Sequence, residues 1–539
     1  MKHQYRLLKT SPWWRYISYV IAFAVLLPVI TVFTSWLIPG HENWQHLSQH
    51  LLQRLLVNSV VLLLGVTFTT AILGVSLAWL VTQYDFPGRS WFSKLLLFPL
   101  ALPAYVTGFV YIGLLDYSGP VMSRLRDWGW PESLVPEVRS TWGVIAVLSL
   151  ALYPYVYLIV KGAFESQGRQ MIEAARSLGK SMPRIFYSLA IPMALPWLLG
   201  AISLVGMETL ADFGTVSIFV YDTFTTAIYR SWYGLFSPET AAQLASLLII
   251  PISLFYLLEQ WIKKRQNYDT LLVMPNRQLK IPRAWSWLAS LFCLLMISVA
   301  LLIPMAQLVV WAIDEMQRAD WVRTLQITAN SAILAMITAV SVCSCAWTLI
   351  FAYRFFKAPK LFFANRLATV GYALPGSVLA IGVFLPLTWV DRGLGWVMEH
   401  WFNQEIGLWL TGSAFAMVAG LTIRFLAVAH AAIFTGQQRI SAKLDEAAVN
   451  HGVYGLKQMW LVHLPLMRTP LLTAFILVFV DVVKEMPLTL MTRPFGWDTL
   501  SVRIFEFIGE GEWQRASLPA IILVFVSMIP VLILDRKKG

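Results

Sequence analysis

The sequence predicts an all-helical protein that crosses a membrane about twelve times. Hydrophobic residues make up 58% of the 539-residue chain, charged residues make up only 13%, and the mean hydropathy is +0.65. This composition is far more apolar than that of a soluble globular protein. In addition, one short polar segment occurs twice, 273 residues apart, between very apolar stretches. Together these observations indicate an integral membrane protein with two related halves.

The membrane spans are predicted from the length of the apolar segments. A helix needs about 20 apolar residues to cross a bilayer, and twelve segments of the chain meet this requirement. Only short loops separate them, so no inserted soluble domain is expected. The segments are residues 16–38, 55–83, 95–115, 141–160, 192–213, 241–262, 285–311, 328–351, 367–390, 408–434, 470–490 and 518–534.

The distribution of basic residues predicts the orientation of the chain. Most of the 41 lysines and arginines lie in segments that face the cytoplasm if both termini do, as the positive-inside rule requires. The formal net charge is +12, but these residues occur singly between apolar runs and do not form a stripe. Nucleic acid is therefore not an expected partner.

The repeated segment has the pattern E-A-A-x3-G-x9, an aliphatic residue, any residue, Ile or Leu, and Pro. Good helix formers followed by Gly and, later, Pro predict a short helix, a turn that needs a permissive backbone, and the start of the next membrane helix. The residues of the first copy are Glu173, Ala174, Ala175, Gly179 and Pro192, and those of the second are Glu446, Ala447, Ala448, Gly452 and Pro465.

Both copies resemble the cytoplasmic coupling loop of ATP-binding cassette (ABC) importer permeases. The resemblance implies a type I permease with two parallel six-helix repeats: residues 1–265, a basic cytoplasmic linker at 266–283, and residues 284–539. Coupling loops at about 162–191 and 435–465 would dock on two copies of a cytoplasmic ABC ATPase. A periplasmic substrate-binding protein would be the other partner. ATP would be hydrolysed by the ATPase, so the chain would be no enzyme and would hold no permanent cofactor.

Four acidic residues lie in predicted spans. Glu208 and Asp212 in the fifth span match Asp481 and Glu485 in the eleventh at the same offset of 273. Within each span the two acids are four residues apart, hence on one helix face. An ionisable residue in a membrane is costly, so these should face a partner or a water-filled path. Four carboxylates suit transient contact with a hard cation; the alternative is structural pairing with Arg424, Lys484 or backbone donors.

The stretches around these acids, 208–215 and 484–490, together with 153–157 and 424–429, resemble the fused permease of bacterial ferric-iron importers. The resemblance implies import of Fe3+ from the periplasm across the bacterial inner membrane. Permeases for thiamine or a phosphonate share the layout and remain alternatives. A multi-span membrane enzyme is a remote one, because the four acids have no His partner at their depth. A passive channel would have no use for two coupling loops.

Overall fold

The computed structural model describes residues 13–37, 42–130, 137–166, 169–265, 278–356, 358–405 and 407–536, and these are nearly all helical. Most of the predicted linker, residues 266–277, lies outside the described residues. The first thirteen helices are α1 (Trp13–Thr34), α2 (Glu42–His50), α3 (Leu52–Gln83), α4 (Arg89–Leu95), α5 (Ala104–Leu115), α6 (Pro120–Asp127), α7 (Thr141–Ser166), α8 (Arg169–Ser177), α9 (Met182–Ile185), α10 (Ile191–Ala211), α11 (Gly214–Ile218), α12 (Phe224–Tyr233) and α13 (Pro238–Arg265).

The remaining helices follow in a similar order of long and short elements. They are α14 (Arg283–Ile297), α15 (Ile303–Glu315), α16 (Trp321–Phe356), α17 (Pro359–Ala368), α18 (Gly376–Phe402), α19 (Ala414–Gln438), α20 (Ala442–Asn450), α21 (Gly455–Gln458), α22 (Leu464–Leu466), α23 (Arg468–Lys484), α24 (Pro487–Thr492), α25 (Leu500–Gly509) and α26 (Trp513–Arg536).

The lengths of the apolar helices confirm the all-helical membrane fold. Within the described residues, nine helical segments are long and apolar enough to cross a membrane, and eleven if each of two sharply bent helix pairs counts as one span. A further apolar helix, Trp513–Met528, is shorter. Each of the twelve predicted segments overlaps a helix. The number of twelve crossings stays a prediction.

Short elements recur at the offset of the sequence motif. The starts of α8 and α20, of α9 and α21, and of α11 and α24 are each 273 residues apart. The same offset relates two π-helical turns, Phe186–Ala190 and Met459–His463, which lead into α10 and α22. Such single π turns insert an extra residue into a helix and are common at functional sites. The chain therefore builds the same loop, turn and broken helix twice.

The first helix of each half packs against the other half. In α1, Pro28 lies so close to α18 that a Cβ on Gly382 would be 2.7 Å from the Pro28 Cβ. Reciprocally, the Trp311 ring of α15 stacks on Phe109 of α5, with ring centroids 6.2 Å apart. Tyr111 also donates a hydrogen bond to the Val299 carbonyl. The two sequence halves are thus interlocked and do not form separate bodies.

A short parallel sheet, which the all-helical prediction did not include, helps to explain this exchange. Strand β1 (Tyr84–Asp85) follows α3, and strand β2 (Leu279–Lys280) lies at the end of the linker; Tyr84 pairs with Leu279 and Asp85 with Lys280. Nearby, the Ser290 hydroxyl of α14 donates to the Pro87 carbonyl at 2.8 Å. The second half therefore begins on the surface of the first.

Close packing of α3 against α7 depends on glycine. A Cβ added at Gly74 would lie 2.6 Å from the Val156 Cβ and 2.9 Å from the Tyr157 backbone nitrogen. Small residues let membrane helices approach closely, because packing and not water exclusion drives their association. The space beside Gly74 is therefore filled by the partner helix.

We predict that Gly74→Ala lowers the melting temperature of the detergent-purified protein, since overpacking typically costs about 1–3 kcal/mol. Gly162→Ala is the matched control, because nothing lies within 4 Å of a Cβ at this α7 position and alanine favours the helix. Its melting temperature should equal or exceed that of the wild type. An unchanged melting temperature for Gly74→Ala would contradict the packing argument.

Candidate functional site: a charged cavity and two coupling loops

Two membrane helices are broken where the acids lie. Helix α10 ends at Ala211 and α23 at Lys484, and each is followed by an extended residue, Asp212 (ψ 128°) or Glu485 (ψ 122°), before a new short helix. A break inside a membrane exposes backbone groups that have no water to bind. Each break therefore needs polar side chains nearby.

The carboxylates of Asp212 and Glu485 cap the new helices. Asp212 accepts hydrogen bonds from the Val216 backbone nitrogen at 3.1 Å and the Thr215 hydroxyl at 3.0 Å. Glu485 accepts from the backbone nitrogens of Leu488 at 3.0 Å and Thr489 at 3.1 Å. A carboxylate at a helix N-terminus satisfies free N–H groups and complements the helix dipole.

The backbone carbonyls at the two breaks are also satisfied in the same way. The Thr225 hydroxyl of α12 donates to the Asp212 carbonyl at 2.7 Å, and the Ser501 hydroxyl of α25 donates to the Glu485 carbonyl at 2.8 Å. Asp212 and Glu485 therefore hold two equivalent breaks together. This role matches the structural alternative for these two acids, pairing with backbone donors.

A cavity of about 240 Å3 lies between the halves at these breaks. It brings together all four acids that the sequence singled out. Its ionisable lining is completed by two basic residues. The charged residues of the lining are Glu208, Asp212, Asp481, Glu485, Arg424 and Lys484.

Glu208 and Asp481 differ from the capping acids. Each lies on the last full turns of its helix, and both are partly accessible at the cavity wall. Glu208 receives one long hydrogen bond, 3.4 Å, from the Tyr372 hydroxyl. Within the described part of the chain, the Asp481 carboxylate accepts no hydrogen bond. These two carboxylates are the ones free to meet a solute.

The basic residues restrain the negative charge of the cavity. The Arg424 Nη1 lies 3.6 Å from the Glu485 Oε1, so the predicted alternative of pairing with Arg424 holds for this acid. The Lys484 Nζ donates to the Leu100 carbonyl of the first half at 3.1 Å. The cavity thus offers both carboxylates and cations to whatever enters it.

The four acids do not form a preformed metal site. Among the described residues, no three His, Cys, Asp or Glu side chains come close enough to hold a metal ion. The arrangement can provide oxygen contacts in succession but not a closed coordination shell. It suits passage better than storage.

An aromatic layer lies next to the cavity, and sequence reasoning missed it. Phe213 at the first break meets Phe505 of α25 with ring centroids 5.5 Å apart, and Tyr229 of α12 meets the same ring at 6.5 Å. The Tyr233 hydroxyl donates to the Leu490 carbonyl at 3.0 Å. Tyr229 and Phe505 occupy the same position in α12 and α25, counted from each helix start, a signal that comparison of the halves could have revealed.

Each predicted coupling loop contains a short helix that ends in the same way. After α8, the Gly179 nitrogen donates to Arg176 and the Lys180 nitrogen donates to Ala175; after α20, the Gly452 nitrogen donates to Val449 and the Val453 nitrogen to Ala448. This is the Schellman arrangement. Its glycines have φ of +81° and +73°, a conformation that other residues adopt at a cost. The spacing from E-A-A to Gly is thus the length of one capped helix.

The other motif residues divide between surface and interior. Glu173, Ala174, Glu446 and Ala447 are exposed, whereas Ala175 and Ala448 are each only 8% exposed. One side of each short helix therefore packs on the protein, and the side that carries the Glu is open to a partner.

Comparison with known proteins places the chain. Residues 70–268 match the family described as the binding-protein-dependent transport system inner membrane component. The chain is a permease subunit of this class of transporter. As a permease it provides the membrane path and is not itself an enzyme, since ATP hydrolysis belongs to a separate subunit.

Similarity to individual permeases extends over most of the chain. It is 26% identical to the Fe(3+)-transport system permease protein FbpB 2 of Haemophilus influenzae, over 89% of each chain. It is 22% identical to the ferric transport system permease protein FbpB of Actinobacillus pleuropneumoniae, over 96% of this permease and 77% of that one. The molybdenum transport system permease protein ModB of Escherichia coli is 27% identical over 40% of this permease and 93% of its own length.

We predict that Asp212→Ala and Glu485→Ala lower the melting temperature of the purified permease, because loss of a capping side chain typically costs about 0.5–2 kcal/mol. Glu485→Ala also leaves Arg424 without its carboxylate. The matched control is Asp481→Ala, which removes a carboxylate from the same cavity but no hydrogen bond. A larger loss of stability at Asp481 than at either capping acid would contradict the division of roles.

Proposed function

We propose that this permease moves ferric iron from the periplasm to the cytoplasm, driven by an ABC ATPase and supplied by a periplasmic binding protein. The observation that carries the proposal is the cavity between the halves, with four carboxylates at two equivalent helix breaks. Carboxylate oxygens are the ligands that hard cations prefer. The similarity to two permeases named for ferric transport supports the same cargo.

The cation path would use Glu208 and Asp481. These carboxylates occupy equivalent positions on α10 and α23, and neither caps a helix. An ion that leaves its binding protein loses oxygen ligands, which two facing carboxylates would replace in part. Arg424 and Lys484 would limit the affinity, because a path must release what it attracts. Asp212 and Glu485 would add negative charge while they hold the breaks.

The coupling loops would connect this path to the ATPase. Each loop leads through a π turn directly into the helix that carries one of the two free acids. Two copies of the ATPase, one on each of α8 and α20, would displace these helices when they close on ATP. Both loops and both termini would then be cytoplasmic, in a bacterial inner membrane.

Oxyanion import is the second candidate function. The guanidinium of Arg424 and the ammonium of Lys484 in the cavity lining favour it. The molybdenum permease and the sulfate transport system permease protein CysW of E. coli, 29% identical over 37% of this chain, are also similar. Uptake measurements with radioactive iron, molybdate and sulfate distinguish the two candidates, and the same assay extends to thiamine and a phosphonate.

We predict that Glu208→Gln combined with Asp481→Asn strongly reduces iron uptake in liposomes that contain the permease, its ATPase and its loaded binding protein. Amides keep the shape but lose the charge that attracts the cation. Protein level and melting temperature should stay close to wild type, because neither carboxylate is a cap. Glu399→Gln, an exposed carboxyl on α18, is the control and should transport normally.

Wild-type iron uptake by the double amide variant would refute the cation path. Uptake that proceeds in liposomes without the ATPase would refute the importer proposal as a whole. If iron is not transported but molybdate or sulfate is, the oxyanion candidate replaces ferric iron.

Orientation can be tested separately with single cysteines in a chain whose Cys293, Cys343 and Cys345 are replaced by serine or alanine. We expect a membrane-impermeant maleimide to label Glu399→Cys in intact spheroplasts, because this position would be periplasmic. Lys443→Cys on α20 should react only after the membrane is opened. Labelling of Lys443→Cys in intact spheroplasts would place the second coupling loop on the wrong side for an ATPase.

A further inference from the structure

A polar network lies beneath the second coupling helix, and its centre is Asp445. The Asp445 Oδ2 accepts hydrogen bonds from the Arg354 Nε at 2.8 Å and Nη2 at 2.6 Å. The Oδ1 accepts from the Gln458 Nε2 at 3.0 Å and lies 2.8 Å from the His463 Nε2. One carboxylate thus joins α16, α20, α21 and the π turn before α22. Charge-assisted hydrogen bonds of this kind are strong and directional.

Arg354 extends the network to the end of another membrane helix. Its Nη1 donates to the Gln437 carbonyl at 3.2 Å, and its Nη2 donates to the Ile440 carbonyl at 3.0 Å. The last carbonyls of a helix have no partner within the helix, so the guanidinium completes the end of α19. It fixes the chain immediately before α20 begins.

The network is mostly buried. Gln458 and His463 are both 0% exposed, and the His463 ring packs edge-on against Phe351 at 5.9 Å and Phe355 at 5.8 Å. Burial raises the pKa of Asp445, but hydrogen bonds from His463 and Arg354 outweigh it and hold this pKa below its usual value. Asp445 is therefore ionised at neutral pH.

The first coupling loop has an apolar interior at the equivalent positions. At the offset of 273, Asp445 corresponds to Ile172, Gln458 to Ile185 and His463 to Ala190, all at most 8% exposed. Arg354 corresponds to Thr82 at the offset of 272 that relates α3 to α16; its hydroxyl donates to the Ala78 carbonyl at 2.8 Å within the helix. The same loop is thus held by apolar packing in one half and by ionic hydrogen bonds in the other.

We propose that Arg354, Asp445, Gln458 and His463 are positioning residues that make the second coupling loop the tighter mechanical link between the ATPase and the transport path. Removing one partner of a buried ion pair typically costs about 3–5 kcal/mol. Helix α20 therefore moves only together with α16, α19 and the turn that leads into α23. Apolar contacts are non-directional and let α8 shift against its neighbours.

This inference rests on the proposed function, in which α20 docks on the ATPase. It also predicts a functional asymmetry between the halves that their shared motif hides. The π turn before α23 would otherwise yield when the loop moves. His463, the last residue of that turn, is bound to Asp445, so displacement of α20 passes to the helix that carries Asp481.

The test compares the iron transported per ATP hydrolysed in liposomes with the ATPase and loaded binding protein. Asp445→Asn and Arg354→Gln should each lower this ratio several-fold in the folded fraction isolated by size exclusion, while the ATPase still binds and hydrolyses ATP. Arg354→Lys keeps the charge but not the forked geometry, and should lower the ratio less. Ile172→Val in the first loop is the control and should leave it unchanged.

A quadruple variant separates positioning from stability. Arg354→Thr, Asp445→Ile, Gln458→Ile and His463→Ala together copy the first loop, leave no buried charge, and should restore a wild-type melting temperature without restoring the ratio. A wild-type ratio in this variant, or in folded Asp445→Asn, would overturn the inference. If the wild-type permease itself shows no ATP-driven uptake, the proposed function fails instead.

Discussion

The structure depends on satisfying the backbone of two helices that break inside the membrane. A transmembrane helix normally satisfies its own polar groups, and a break exposes N–H and C=O groups where no water is available. This protein satisfies them locally: Asp212 and Glu485 receive the free N–H groups of α11 and α24, and Thr225 and Ser501 donate to the freed carbonyls. The cavity exists because these breaks are stable.

Carboxylates are suited to both tasks that the site requires. An acid that caps a helix keeps its charge in the membrane at reduced cost, because hydrogen bonds and the helix dipole stabilise the ionised form. Two further acids, Glu208 and Asp481, stand one turn before the capping acids on the same helix faces. The caps therefore place negative charge at the cavity without needing a solute. The free acids can then bind and release a cation without any loss of structure.

The sequence predicted the helical segments, the offset of 273 and the four acids, because hydrophobic length, repeated motifs and intramembrane charge are local signals. It could not divide the acids. Glu208 and Asp212 have the same spacing as Asp481 and Glu485, and only the break after Ala211 decides which carboxylate faces a helix end. The exchange of the first helices and the pairing of Tyr84 with Leu279 were also missed, since they depend on contacts between distant segments. The network around Asp445 was missed because one half lacks it.

That asymmetry bears on how a symmetric motor can drive a fused permease. In α10, the 21 residues between the coupling loop and the first break span about 30 Å at 1.5 Å per residue, so a rigid helix carries a displacement of the loop directly to the cavity. A π turn precedes each such helix and is a point of compliance. In the first half, apolar Ala190 ends this turn; in the second, His463 ends it and is bound to Asp445. Fusion of the halves lets each acquire its own stiffness. The two acids of the path then need not move together, and a cation can be passed from one carboxylate to the other.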